Sequence, residues 1–191
     1  MMQNKKIAVT GGIGSGKSYV CALLREMGYP VFSCDEINRR LWRDQSYRAE
    51  LAARFPDCVQ GGEIGRELLA KKVFSDRTAL EKLNAFSHPR IMRALIAEMN
   101  RADGVSFAEV PLLFEGGYEP LFDGVIAVRR PAEARIWAVM ERDGLSRAQV
   151  QARMRKQFPP ERLEEKSCLI LENEGNVSAR LAEILQKFGV K

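Results

Sequence analysis

The run Gly11-Gly12-Ile13-Gly14-Ser15-Gly16-Lys17-Ser18 sets two glycines five positions apart and follows the second with a lysine and a serine. Residues of these types at this spacing do phosphate chemistry. The glycines let successive backbone N–H groups turn inward around the β- and γ-phosphates of a nucleotide. The Lys17 ammonium brings a point charge to the same oxygens, and the Ser18 hydroxyl offers a ligand to Mg²⁺. The bland alternative is a glycine-rich turn without a ligand. Context argues against it, because the apolar run Ile7-Ala8-Val9 leads directly into the loop, as a buried strand should. After the loop, Val20, Leu23, Leu24 and Met27 repeat at i, i+3, i+4 and i+7, and Gly28 suits a helix C-terminus. A helix therefore starts inside the loop and aims its positive end at the phosphates.

Other residues able to do chemistry are fewer. Asp35 follows the second strand candidate, where a carboxylate can take a hydroxyl proton or hold Mg²⁺ through water; the alternative is a helix cap. Arg135 and Arg142 are seven apart on a helical pattern and so share a face suited to clamping phosphates. For Arg135 the solvated-face reading is preferred. Arg153 and Gln157, at i and i+4, are expected on one face of the next helix. His88 is the single histidine, read as a cap or packed polar residue, and Trp42, Trp137 and the phenylalanines are read as core.

With 191 residues, 46% of them hydrophobic, the chain can bury a substantial core. The formal charge of +5 is compatible with an anionic partner, but the basic residues are dispersed, which favours a small polyphosphate over a nucleic-acid track. Four cysteines without Cys-x-x-Cys spacing, beside one histidine, leave few ligands for zinc. Reduced thiols, a cytoplasmic location and no membrane partner are the expectation.

Strand candidates lie at 7–10, 30–33, 105–110, 124–128 and 168–171, with helical patterns between them. Strands separated by helices give a parallel sheet, with the ligand beyond the carboxyl ends of its strands. The stretch 35–100 holds no strand candidate and reads as helices, including one over 89–100 that begins at Pro89, capped by Ser87 or His88. A second helical insert covers 132–165, where Ser146 and Gln149 form a capping box.

Taken together, the loop, Asp35, His88-Pro89, Val110-Pro111-Leu112-Leu113-Phe114-Glu115 and the series Arg142, Arg153, Gln157 resemble the dephospho-coenzyme A kinase family over nearly the whole chain. The resemblance implies an α/β fold of the phosphate-loop NTPase type: a parallel five-stranded sheet flanked by helices (1–34, 101–131 and 166–191), a helical substrate domain (35–100) and a helical lid (132–165). It implies transfer of the ATP γ-phosphoryl group to the ribose 3′-hydroxyl of dephospho-coenzyme A, with Mg²⁺, in a monomer or small homo-oligomer without a nucleic-acid partner. Lys17, Asp35 and Arg142 are then the expected catalytic residues. The nucleotide falls to Gly12, Ile13, Gly14, Ser15, Gly16, Lys17, Ser18, Tyr19 and Asn173, the metal to Ser18, and the acceptor to Asp35, His88, Pro111, Leu112 and Glu115. Two departures stand out: Ser33-Cys34-Asp35 replaces the family's Asp-Ala-Asp, and Ser167-Cys168 replaces its Ala-Asp. The alternatives are a related kinase for a nucleoside or nucleotide, or a nucleotide-dependent switch or nucleic-acid-binding module.

Overall fold

The computed structural model describes residues 4–166 and 168–190, with the side chain of Glu164 left out; Ser167, the first residue of the Ser167-Cys168 departure, lies outside the described residues. The chain divides into two compact units, one made of 1–33 and 98–191 and the other of 34–97.

In the first unit, β1 (Lys5–Thr10), β2 (Val31–Ser33), β5 (Val105–Glu109), β6 (Gly124–Arg129) and β7 (Leu169–Glu172) form one sheet in the order β2-β5-β1-β6-β7. Every pairing in it is parallel. A strand buried on both faces must be apolar along its length, which is why Ile7, Ala8 and Val9 in β1 and Val125 to Val128 in β6 are almost fully hidden. Helices α1 (Lys17–Glu26) and α8 (Val177–Lys187) contribute Val20, Leu24, Leu181 and Leu185 to the same core. Gly28, at φ +87°, ends the first of these in the left-handed conformation that a Cβ would oppose.

Helices α6 (Ala132–Asp143) and α7 (Arg147–Met154) pack through Ile136, Val139 and Val150. The capping box is formed: the Ser146 hydroxyl accepts from the Gln149 N–H, and the Gln149 side chain accepts from the Ser146 N–H. A 3₁₀ turn, Pro160–Glu165, follows. Gln157 does not continue α7, because Phe158 precedes Pro159 and a residue before proline is pushed out of the helical region.

The second unit holds α2 (Cys34–Leu41), α3 (Gln45–Arg54), α4 (Arg66–Ser75) and most of α5 (Arg77–Met99) around Tyr47, Leu51, Phe55, Ile64, Leu69 and Phe86. It is not wholly helical. β3 (Val59–Gln60) and β4 (Glu63–Ile64) form an antiparallel hairpin, its turn made by Gly61 and Gly62 at φ +61° and +83°, the two positive angles that tight hairpin turns demand. Pro89 lies inside α5 instead of starting a helix. Its ring frees the carbonyl of Ala85, but both residues are exposed and water can satisfy that oxygen. Burial of Phe86, Met92 and Leu95 holds the helix together on either side. Ser87 caps nothing; buried, it accepts a hydrogen bond from the Tyr47 hydroxyl at 3.0 Å.

Not all aromatic side chains are core. Phe74 is 91% exposed and Trp137 63% exposed.

Candidate active site

β1 is the middle strand of the sheet, so the loop at its carboxyl end emerges where flanking strands can add side chains. Gly16 stands at the N-cap of α1 in the left-handed region, leaving the first amides of the helix facing the loop. Gly14, also left-handed, lies beneath α6: a Cβ there would come within 2.6 Å of the Arg135 carbonyl oxygen.

Two cations occupy the loop. Lys17 is 9% exposed, and its ammonium donates to the carbonyls of Gly11 (2.7 Å) and Gly12 (3.2 Å). Arg135 is 4% exposed, and its Nε donates to the carbonyl of Ile13 at 2.9 Å. Three consecutive carbonyls are thus each held by a positive side chain. Burial lowers the pKa of Lys17 below that of an ordinary lysine; Glu109 works against this and Arg135 with it. The neighbouring Cys21 thiol is pushed up to about 12, chiefly by burial, and stays protonated.

Glu109 ends β5 beside β1, in register with Val9. Its Oε1 accepts a hydrogen bond from the Ser18 hydroxyl at 3.0 Å. Hydroxyl and carboxylate together form an all-oxygen pair of the kind that suits Mg²⁺, a cation that keeps waters and substrate phosphates as its remaining ligands. The buried Ser15 Oγ has no hydrogen-bond partner, an orphaned polar atom beside glycines that present amides to an anion. On the other side of the loop, the Asn173 amide donates to the Ser15 carbonyl at 2.7 Å, so the chain after β7 braces the start of α1.

The segment after α7 touches two loops with adjacent residues. Gln157 Oε1 accepts from the Ile13 N–H at 2.7 Å, and the Phe158 N–H donates to Glu115 Oε1 at 2.8 Å. Phe158 packs on Phe114 with ring centroids 4.9 Å apart, and Lys166 lies over both rings. A small cavity of about 20 Å³ borders Gly11, Gly12, Pro111, Glu115 and Arg135. A larger one of about 560 Å³ lies next to Arg129, Arg130, Arg135, Arg155 and Gln157.

Of the residues singled out in the sequence, Gly12 to Ser18, Asn173, Pro111 and Glu115 come together around this loop. Tyr19, on the first turn of α1, is half exposed, and Leu112 is exposed and not part of either cavity wall. Asp35 lies in the second unit, in the first turn of α2, its carbonyl accepting from Arg39. His88 is in α5 of that unit, with its pKa lowered by burial. The two arginines of α6 differ in burial, and the charge of each acts on Lys17. Arg135, read from sequence as solvated, is buried on the loop. Arg142 is largely exposed and gives two hydrogen bonds, at 2.7 and 2.9 Å, to Asp143. Glu109 was missed, although an acid at the carboxyl end of a strand candidate was visible; the strand's position next to β1 was not.

The family model for dephospho-CoA kinase matches residues 5–179. A dephospho-CoA kinase of Thermus thermophilus is 44% identical over 172 residues, covering 90% of this chain and 84% of the relative. A crystal structure from Thermus thermophilus superposes with a TM-score of 0.81 at 41% identity, covering 97% and 95% of the two chains. A dephospho-CoA kinase structure from Campylobacter jejuni gives 0.70 at 26% identity and 96% coverage of each chain.

Proposed function

The chain belongs to the dephospho-CoA kinase family, and from that premise we propose that it binds ATP at the Gly11–Ser18 loop and transfers the γ-phosphoryl group to the 3′-hydroxyl of dephospho-coenzyme A. It is an ATP-dependent phosphotransferase of coenzyme A biosynthesis. The observation that carries the site reading is the Lys17 ammonium held inside a loop whose next residue, Ser18, hydrogen-bonds to Glu109.

Phosphoryl transfer leaves little covalent work to a protein, so its contribution is positioning and charge. Loop amides and the N-terminus of α1 receive the β- and γ-phosphates, and Lys17 exchanges its carbonyl acceptors for phosphate oxygens. Ser18 and Glu109 would hold Mg²⁺, which supplies positive charge to the phosphates when bound. Pro111 and Glu115 supply wall and polar edge on the acceptor side of the loop. Asp35, two residues along the chain from the end of β2, is assigned the carboxylate role toward the acceptor hydroxyl.

Mass spectrometry of dephospho-coenzyme A after incubation with ATP, Mg²⁺ and the protein should show gain of one phosphoryl group at the ribose. A panel of nucleosides and nucleotides should stay unmodified. Preferential labelling of one of them would replace the acceptor while leaving the site in place.

A further inference from the structure

Arg135 is built in a way that its own surroundings do not explain. A guanidinium carries five N–H donors. Only one of those on Arg135 has an acceptor among the described residues, the Ile13 carbonyl at 2.9 Å, and none of those residues forms an ion-pair contact with it, although it is 4% exposed; the Glu161 carboxylate acts on it only from a distance. A buried guanidinium with most donors unfilled and no contact ion pair is costly, and an arriving anion would offset that cost. Arg135 lines both the small cavity at the loop and the larger one beside it. Gly12 makes room for them, since a Cβ at that position would overlap the guanidinium. Lys17 shows the same arrangement one step away, resting on the carbonyls of Gly11 and Gly12.

We propose that Arg135 is a catalytic residue and the second phosphate-seeking cation of this loop, leaving the Ile13 carbonyl to donate to the phosphoryl group in transit. Arg142 has two of its donors committed to its neighbour Asp143 and is largely exposed, and its charge acts on Lys17 more weakly than that of Arg135. In the transfer, the bond between the γ-phosphorus and the β–γ bridging oxygen breaks and a bond to the acceptor oxygen forms. The hydroxyl proton passes to a carboxylate. Arg135 keeps all its protons and contributes charge that grows in value as the phosphoryl group separates.

This rests on the phosphoryl-transfer reading, so the test uses no acceptor. Wild-type protein should bind ADP with Mg²⁺ and aluminium fluoride, which imitates the phosphoryl group in flight, more tightly than ADP with Mg²⁺ alone. Arg135→Ala should lose most of that gain, about a hundredfold, while its affinity for ADP changes by less than about threefold. Gly12→Ala, which displaces the guanidinium without removing it, should lose the gain in part. If Arg135→Ala retains the fluoride gain, or loses affinity for ADP and for the fluoride complex equally, the catalytic assignment is overturned. Unfolding of Arg135→Ala is checked by its melting curve, and Arg135→Lys then provides the same comparison with a charge retained. A wrong acceptor would leave every fluoride result unchanged.

Discussion

Ser18 and Glu109 are 91 residues apart in sequence, yet the serine hydroxyl donates to the glutamate carboxylate at 3.0 Å because β5 lies directly beside the strand that launches the loop. The pair joins the metal-facing end of the nucleotide loop to the sheet. Glu109→Gln keeps the size and an acceptor oxygen but removes the charge, so the Mg²⁺ concentration giving half-maximal rate should rise about 10–100-fold, the usual cost of altering a supporting ligand. A second effect has a definite sign. Glu109 raises the pKa of Lys17 against the lowering by burial, so its neutralisation should move the alkaline fall of the pH–rate profile to lower pH. An unchanged Mg²⁺ requirement and an unchanged profile would remove Glu109 from the site.

Asp35→Asn separates the two carboxylates. The amide can still serve the first turn of α2, so the melting temperature should stay close to that of the wild type, while kcat falls about a hundredfold with the Mg²⁺ requirement unaltered. Retention of most activity would transfer the proton-accepting role to another group, with Glu115, at the small cavity, the first to examine.

Lys17→Met should abolish transfer and yet stabilise the empty protein. The pKa of Lys17 is lowered in the folded state, so the charged form is worse off folded than unfolded wherever both are protonated, that is, below the folded pKa. As pH rises from there towards the ordinary value of 10.5, the folded state gives up its proton first and the penalty shrinks. By this linkage the variant gains most near neutral pH, offset by the loss of the hydrogen bonds to the Gly11 and Gly12 carbonyls. The difference should close on the alkaline side. Thermal unfolding of both proteins across pH, without nucleotide, checks the direction.

Ser146→Ala removes one half of the capping box at α7 and should cost about 1 kcal/mol. Hydrogen exchange should quicken at Gln149, whose amide donates to the Ser146 hydroxyl, and at Val150, whose amide donates to the Ser146 carbonyl. Slow exchange there would mean that packing of Val150 alone holds α7 in place.

Much of the core was legible because its signals are local. The glycine spacing, the buried β-strands and the Ser146–Gln149 box each lie within a few neighbouring residues. What escaped depended on tertiary position. Arg135 and Arg142 look alike on a helical wheel, and only the packing of α6 on Gly14 decides which of them is buried on the loop. Glu109 needed the order of the strands. The β3–β4 hairpin was overlooked since each strand has two residues, too few for alternation to show, although Gly61-Gly62 was a turn signal in plain view. Pro89 carried a sound helix-start signal that burial on both sides overrode.

Gln157 and Phe158 are consecutive, and one reaches the nucleotide loop at Ile13 while the other reaches the acceptor loop at Glu115. Successive Cα atoms are about 3.8 Å apart, so the backbone between these two anchors is one peptide long, extended only by the reach of the Gln157 side chain. Length is therefore a conserved quantity here by geometry: one residue inserted between them, or lost, would leave at least one loop without its tether. Insertions in relatives of this chain should accumulate in exposed turns such as Asp143–Ser146 and avoid positions 157 and 158, a pattern readable from gap positions alone.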